Sequence, residues 1–425
     1  MSMYHRRHLE QVLSAPVSRH KVRLLFGARQ TGKTQLLKHL LDGPRTRFFD
    51  LQDSAERRRF EADPASFSRE VRALPAAIRT VAVDEIQKVP ALLDEVQALF
   101  DSSPRRWQFY LTGSSARRLR ARSANLLPGR SHAYRLHPVC GWEIGREASD
   151  PDPAVAPPRS PGRRRAPGPG VEPGAGPPPF PAQRLERVLR LGCLPGVRSE
   201  PATTARATLA SYVEHYLEDE IRREALVREM GPFLSFLRVA AVESGRQVNL
   251  ARLSQESGVP VSTLKSYYQV LVDTFVGHWI SPYAGRSRKR LLTSPRFHVF
   301  DVGVRNAAAE VDHAARMPDE LGGPLLEQWV AQELVARADY AGPGHRVSFW
   351  RTTYGVEVDH VWESPREDVP IEVKWTERPR PVDARHLETF LDEFPRRARR
   401  GVLVCRCPRP QQLTDRVTAI PWDAL

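Results

Sequence analysis

An α/β chain is what this sequence predicts: a mainly parallel sheet in front, a helical module in the middle and a second α/β domain at the end. Three observations predict it. Up to about Arg146, apolar runs such as "VRLLF", "TRFFDL", "TVAVD", "WQFYLTG" and "HAYRLHP" alternate with amphipathic segments, as in a sheet covered by helices. After a proline-rich stretch, "RLERVLRL", "LASYVEHYLEDEIRREAL" and "PFLSFLRVAAVESG" repeat apolar residues every three or four positions, which is helical spacing. Past Leu325 a helical "LLEQWVAQELVARA" precedes the strand-like "RVSFWRT", "GVEVDHVWE", "VPIEVKW" and "RGVLVCRC".

A chain of 425 residues exceeds one ordinary core. The divisions predicted are 1–147 for the first α/β domain, 148–183 for a linker, 184–310 for the helical module and 311–425 for the last domain. The linker, dominated by Pro, Gly and Ala from Ala148 to Gln183, lacks the large apolar side chains that offset ordering entropy, so disorder is expected there.

The composition is that of a soluble globular protein, with 41% hydrophobic and 27% charged residues. A formal charge of +14 favours polyanions, nucleic acid first, although a general preference for arginine would give the same excess. Four scattered cysteines with no Cys/His set at zinc spacing exclude a structural zinc site. The start, "MSMYHRRHLEQVL", has no apolar signal core, and no run reaches the roughly 20 apolar residues that span a bilayer. No membrane contact, a cytoplasmic location and reduced thiols are therefore expected.

"GARQTGKT" follows the first strand-like run and precedes a helix-like one. Gly27 and Gly32 bracket four residues ahead of Lys33 and Thr34, the G-x-x-x-x-G-K-[ST] phosphate loop. Backbone N–H groups of Gly27, Ala28, Arg29, Gln30, Thr31, Gly32, Lys33, Thr34 and Gln35 are placed to wrap an anion at a helix start. Lys33 is expected to reach the β and γ phosphates of ATP and Thr34 to bind Mg2+. In "TVAVDEIQKVP" Val81 and Val83 fit a buried strand, Asp84 is expected on the magnesium, and Glu85 as the base that polarises water. "WQFYLTGSS" ends on Thr112, Gly113 and Ser114, polar groups that orient the water or form an ordinary turn. Arg130, in "LLPGR", is the candidate arginine for a neighbouring subunit's γ-phosphate.

"LLFGARQTGKTQLL", "VDEIQKVPALLDEVQ", "FYLTGSSARRL", "LLPGR" and "LHPVCGWEI" stand in the order and spacing of a large group of bacterial and archaeal AAA-type ATPases whose carboxy-terminal half is a domain of unknown function. Later stretches, among them "LRLGCLPGV", "STLKSYYQVLVDTFVGHWISPY" and "GPLLEQWVAQEL", are also similar, so the resemblance covers nearly the whole chain. It implies an AAA-type P-loop NTPase domain, ATP with Mg2+, and a ring or homo-oligomer. The linker departs from the family and leaves the stiffness of coupling between the halves open.

"VNLARLSQESGVPVSTLKSYYQVLVDTFV" has helix-turn-helix form. Val261, Leu264, Tyr268, Leu271 and Val272 are expected on the inner face, with Ser262, Lys265, Ser266 and Gln269 outward to read a groove. "GRSRKR", Gly285 to Arg290, would be the wing of a winged helix on DNA phosphates; packing of this module against the ATPase domain or a partner protein is the alternative. In the last domain Asp359 lies on one strand and Glu372 and Lys374 share a face of the next, with Glu327 on the preceding helix and Glu357 two residues before Asp359. This pattern resembles the PD-(D/E)xK core of restriction-endonuclease-like domains and implies a divalent metal on Glu327, Asp359 and Glu372, with Lys374 beside it. The alternatives are a nuclease-shaped domain retained for binding and an acidic strand merely paired with a lysine. Trp329, Trp350, Trp362 and Trp375 are expected as core anchors.

Three functions follow as expectations. They are an ATPase that couples nucleotide state to DNA or a partner, a metal-dependent nuclease switched by ATP, and a non-catalytic DNA- or protein-binding regulator.

Overall fold

The computed structural model describes residues 3–15, 21–115, 127, 129–145, 178–217, 230–284, 294–311 and 319–425. Its first sheet has five strands: β1 (Val22–Phe26), β2 (Thr46–Asp50), β3 (Thr80–Asp84), β4 (Gln108–Gly113) and β5 (Ser131–Arg135). Their order is β2-β3-β4-β1-β5, and every adjacent pair is parallel.

Side chains alternate between two apolar layers, as the two-residue period of a strand requires. Leu25, Ala82 and Tyr110 point toward α1 (Leu9–Ser14) and α2 (Lys33–Leu40), where Leu9, Leu13, Leu36 and Leu37 are buried. Leu24, Val81, Val83 and Leu111 face the other way, toward α3 (Ser54–Ala62), α4 (Ala65–Ala73) and α5 (Leu92–Ser102), whose Phe60, Phe67, Val96 and Leu99 complete that layer. Both faces are covered, so β1 is buried along its whole length. Because β4 lies between β1 and β3, the carboxyl ends of these three strands sit side by side.

The middle of the chain is helical: α6 (Leu185–Leu191), α7 (Pro195–Arg198), α8 (Ala202–Ser211) running into a π-helical turn (Tyr212–Leu217), α9 (Met230–Val242), α10 (Leu250–Ser257) and α11 (Val261–Asp273). The α10–α11 turn passes through Gly258 at φ 68, a left-handed conformation that suits glycine. Leu264, Tyr268 and Leu271 are buried, while Ser262, Lys265, Ser266 and Gln269 are exposed. Val261 departs from expectation and is 37% exposed, because as the first helical residue after Pro260 it precedes the packed turns. The expected wing, 285–290, lies outside the described residues.

A hairpin of β6 (Gly277–Pro282) and β7 (Arg296–Val299) leads to α12 (Val302–Ala308) and the long α13 (Asp319–Ala341). Then come β8 (Arg346–Arg351), β9 (Glu357–Glu363), β10 (Asp368–Val373), α14 (Arg385–Glu393), β11 (Gly401–Cys405), β12 (Gln411–Gln412) and β13 (Val417–Pro421). These strands form one eight-stranded sheet in the order β12-β13-β11-β10-β9-β8-β6-β7. The hairpin adds to it where Ser281 and Pro282 pair with Ser348 and Phe349, so the sheet runs across the boundary expected at 310.

The linker expectation needs one correction. Residues 148–177 lie outside the described set, but its end is packed: Phe180 is 4% exposed, bridges Ile144, and accepts a hydrogen bond from Gly145 N at 2.7 Å. Phe180 supplies the large apolar side chain that the rest of the stretch lacks. Four free cysteines are buried, and among the described residues no helix is long and apolar enough to cross a membrane.

His298 is fully buried in this second half, and burial first, then Arg296, lowers its pKa from 6.5 to about 3. Folding therefore excludes a proton that the unfolded chain binds below pH 6.5. Stability from this group is present above 6.5 and declines as pH falls toward 3, by about 1.4 kcal/mol per pH unit. His298→Gln removes that slope: in denaturant titrations, wild type is expected to lose ground to the variant progressively below pH 6.5.

Candidate active site

The loop from Gly27 to Gly32 leaves β1 and enters α2, with Gly32 at φ 95 as the helix cap. A Cβ on Gly27, at φ 154, would lie 2.4 Å from Leu136 O, so only glycine lets the loop pass β5's exit. Lys33 is buried, its Nζ donating to Gly27 O and Ala28 O at 2.9 Å each. Behind the loop Thr31 Oγ1 donates to Ala28 O at 2.9 Å.

Asp84 ends β3 fully buried, and its carboxylate accepts from three polar side chains. Thr34 Oγ1 donates to its Oδ2 at 2.7 Å and Gln52 Nε2 to the same oxygen at 3.0 Å, while Thr112 Oγ1 donates to Oδ1. Thr34 and Asp84 are thus in contact, and their hard oxygens form a donor set that suits magnesium.

Glu85 follows with φ 58, a left-handed conformation unusual for a side-chain-bearing residue, and Thr112 Oγ1 accepts its N–H at 2.9 Å. Its Oε2 accepts from Gln87 Nε2 at 2.5 Å and from Ser114 Oγ at 3.0 Å. Burial alone would raise this carboxyl, but Lys33, then Gln87 and Ser114, outweigh it and hold the pKa below its usual value. Glu85 is therefore anionic at neutral pH and aimed by two hydrogen bonds.

These groups open on one cleft of about 710 Å³, lined by Gln30, Lys33, Thr34, Glu85 and Gln52, and on its far side by Ser211 and His215. Gly32, Arg29 and Gln35 line it too, whereas Gly27, Ala28, Thr31 and Asp84 stand behind its wall. Arg130 does not line it: Arg130 Nε donates to Asp101 Oδ1 at 2.7 Å.

Sequence reasoning missed Gln52, Gln87, His215 and, above all, Arg7. Arg7 is 2% exposed; its Nη1 donates to Thr31 O at 2.7 Å, its Nη2 to His137 O at 2.7 Å, and its Nε to Glu143 Oε1 at 3.1 Å. The only local signal for it is a basic run before the first helix.

The second candidate cluster also assembles. Asp359 Oδ2 accepts from Val373 N at 2.8 Å, and Lys374 Nζ lies 2.7 Å from Glu372 Oε1. Arg296, which sequence reasoning also missed, donates to Glu327 Oε1 at 2.9 Å, to Asp359 O at 3.3 Å and to Glu357. Burial raises the pKa of Glu327, Asp359 and Glu372, with neighbouring carboxylates adding to the shift. Yet among the described residues no three His, Cys, Asp or Glu side chains are spaced to hold a metal ion. Arg296 pairs with Glu327, and Lys374 pairs with one oxygen of Glu372.

Residues 19–145 match the family model described as an AAA domain. This part of the chain is similar to AAA domains. Residues 182–315 and 322–425 match two models described as domains of unknown function. Uncharacterized proteins of Mycobacterium bovis and Mycobacterium tuberculosis are each 23% identical over 413 residues, 97% of this chain and 82% of theirs. Among solved structures, the Walker-type ATPase PABY2304 of Pyrococcus abyssi is 14% identical with a TM-score of 0.45, covering 72% of this chain and 96% of that one.

Removing Arg7 leaves Glu143 buried with a charge unpaired on that side, the costly way to break an ion pair. Arg7→Ala is expected to destabilise the fold by about 3–5 kcal/mol, read as a drop in the denaturant midpoint. A loss below about 1 kcal/mol would show that the other contacts of Glu143 suffice.

Proposed function

We propose that this chain is a magnesium-dependent ATPase whose nucleotide state governs engagement of DNA or a partner by its carboxy-terminal half. One observation carries the reading: Lys33, Thr34 and Glu85 converge on a single cleft, with Asp84 bonded to Thr34 just behind it. A triphosphate on the loop amides would draw Lys33 from its two carbonyls. Thr34 and Asp84 would hold magnesium, which supplies charge neutralisation between the phosphates. Glu85, ionised and fixed by Gln87 and Ser114, accepts a proton from the attacking water. The far wall of the cleft, Ser211 and His215, belongs to the helical module, which supports a link between nucleotide and the parts beyond. Exposed Ser262, Lys265, Ser266 and Gln269 on α11 support DNA as the partner. Arg130, in a homo-oligomer, would serve a neighbouring copy's nucleotide.

The test separates binding from chemistry. Lys33→Ala is expected to lose ATP binding, whereas Glu85→Gln keeps binding within a few-fold and loses turnover about 100-fold or more. Full turnover in Lys33→Ala would end the assignment.

A second reading, a metal-dependent nuclease, has one observation in its favour: Glu372 Oε2 is buried without a hydrogen-bond partner, among the carboxylates that sequence spacing singled out. Cleavage would require Arg296 to release Glu327. On this reading, plasmid DNA with manganese is nicked by the wild-type chain and left whole by Asp359→Ala. An intact plasmid with both proteins returns the cluster to a structural role.

A further inference from the structure

The sheet has a second polar end. Opposite the nucleotide cleft, where β1, β3 and β4 begin, a pocket of about 330 Å³ is lined by Arg23, Arg79, Arg105, Arg106, Trp107 and Tyr110, together with Ser14, Thr80 and Gln108. Four guanidiniums line it and, among the described residues, no carboxylate does. Such a gathering of like charge is repulsive by itself and calls for a counter-charge.

Two of the four charges, Arg23 and Arg106, are held in place. Arg23 is 3% exposed; it donates to Tyr110 Oη and, at 3.0 Å, to Ala15 O, and its Nε is buried with no hydrogen-bond partner. Arg106 donates to Ile78 O at 2.7 Å and to Pro75 O at 3.2 Å. Trp107, 7% exposed, likewise keeps a buried Nε1–H without an acceptor. Arg105 has φ 67, a left-handed backbone that an arginine rarely adopts, beside exposed Arg79. Four arginines, one of them in a left-handed conformation, and two residues with unpartnered buried donors thus line one pocket that no described acid lines.

The aromatic rings point to an anion rather than a base. Arg23 lies 5.0 Å from the Tyr110 ring centre and Arg106 lies 4.9 Å from that of Trp107, so both rings already carry a guanidinium. The volume is at the small end of ligand pockets and suits a phosphate group rather than a whole nucleotide. Guanidinium forks match phosphate oxygens in pairs.

We propose that Arg23, Arg79, Arg105 and Arg106 form a phosphate-binding site at the end of the sheet opposite the nucleotide loop. The phosphate comes either from a small free polyphosphate or from a nucleic-acid backbone. This site does not depend on the ATPase reading.

The experiment uses the full chain carrying Lys33→Ala, which removes the phosphate loop's contribution, and compares it with the same chain bearing Arg79→Ala and Arg105→Ala. Both added changes are at exposed side chains, and circular dichroism checks that the fold is kept. Inorganic pyrophosphate and a single-stranded oligonucleotide are titrated separately by calorimetry. Loss of at least about tenfold in affinity for pyrophosphate supports a small anion as occupant. The same loss for the oligonucleotide alone supports a nucleic-acid phosphate. Unchanged affinity for both probes in the double variant, or no binding of either by the parent, overturns the proposal.

Discussion

A guanidinium buried in protein must spend its donors on acceptors, and Arg7 spends them on three separate parts of the chain. One nitrogen fixes Thr31 O in the phosphate loop, one fixes His137 O after β5, and the third meets Glu143. Glu143 is in turn saturated, accepting also from His8 N at 2.7 Å and from Cys140 N at 3.0 Å. The seam continues into the second half. Gly141 N donates to Glu333 Oε2 at 2.9 Å, and His137 Nε2 lies 2.6 Å from Asp339 Oδ2, both carboxylates on α13. Glu327 is on that same helix, six residues before Glu333, or about 9 Å along its axis. One polar seam therefore fastens the phosphate loop, the amino-terminal segment and the helix beneath the second carboxylate cluster.

What could be read from the sequence was what is local in it. Gly27 to Thr34 are consecutive, Asp84 and Glu85 are adjacent, and Glu372 and Lys374 are two apart at the end of β10, so short-range geometry alone brings the members of each group close. The parallel sheet was equally legible, because its central strands β1, β3 and β4 are buried nearly throughout and read as apolar runs. Residues that act across the chain were not. Arg7 and Glu143 are 136 positions apart, and His215 reaches the cleft from a helix beyond the linker. Nothing in an isolated arginine announces its carboxylate.

The second cluster shows the same limit from the other side. Strand alternation correctly brought Asp359, Glu372 and Lys374 together, but the counter-charge came from β7, in the hairpin assigned by sequence to a different module. Arg296 is only 6% exposed along its side chain, and Phe349 packs 4.5 Å from its guanidinium carbon. Such a cation is part of the core, not a passing surface contact. A carboxylate pattern read from strand spacing can therefore meet its counter-charge 31 positions upstream of its first member, Glu327.

The parts of the nucleotide cleft differ in how freely they can respond to its contents. Strands β1, β3 and β4 are sandwiched between two close-packed layers, and such interiors do not deform continuously. Lys33 and Glu85 are thus anchored to a nearly rigid floor. The opposite wall is of another kind: Ser211 and His215 lie where α8 gives way to a π-helical turn, a rare geometry that leaves the regular hydrogen-bond ladder. Tyr212, between them in sequence, is 1% exposed and packs in the core of the helical module while its hydroxyl lies 3.4 Å from Arg29 O. Tyr212 thus joins this turn to the phosphate loop. The side of the cleft that belongs to the second module, rather than the sheet, is therefore the less regular of the two.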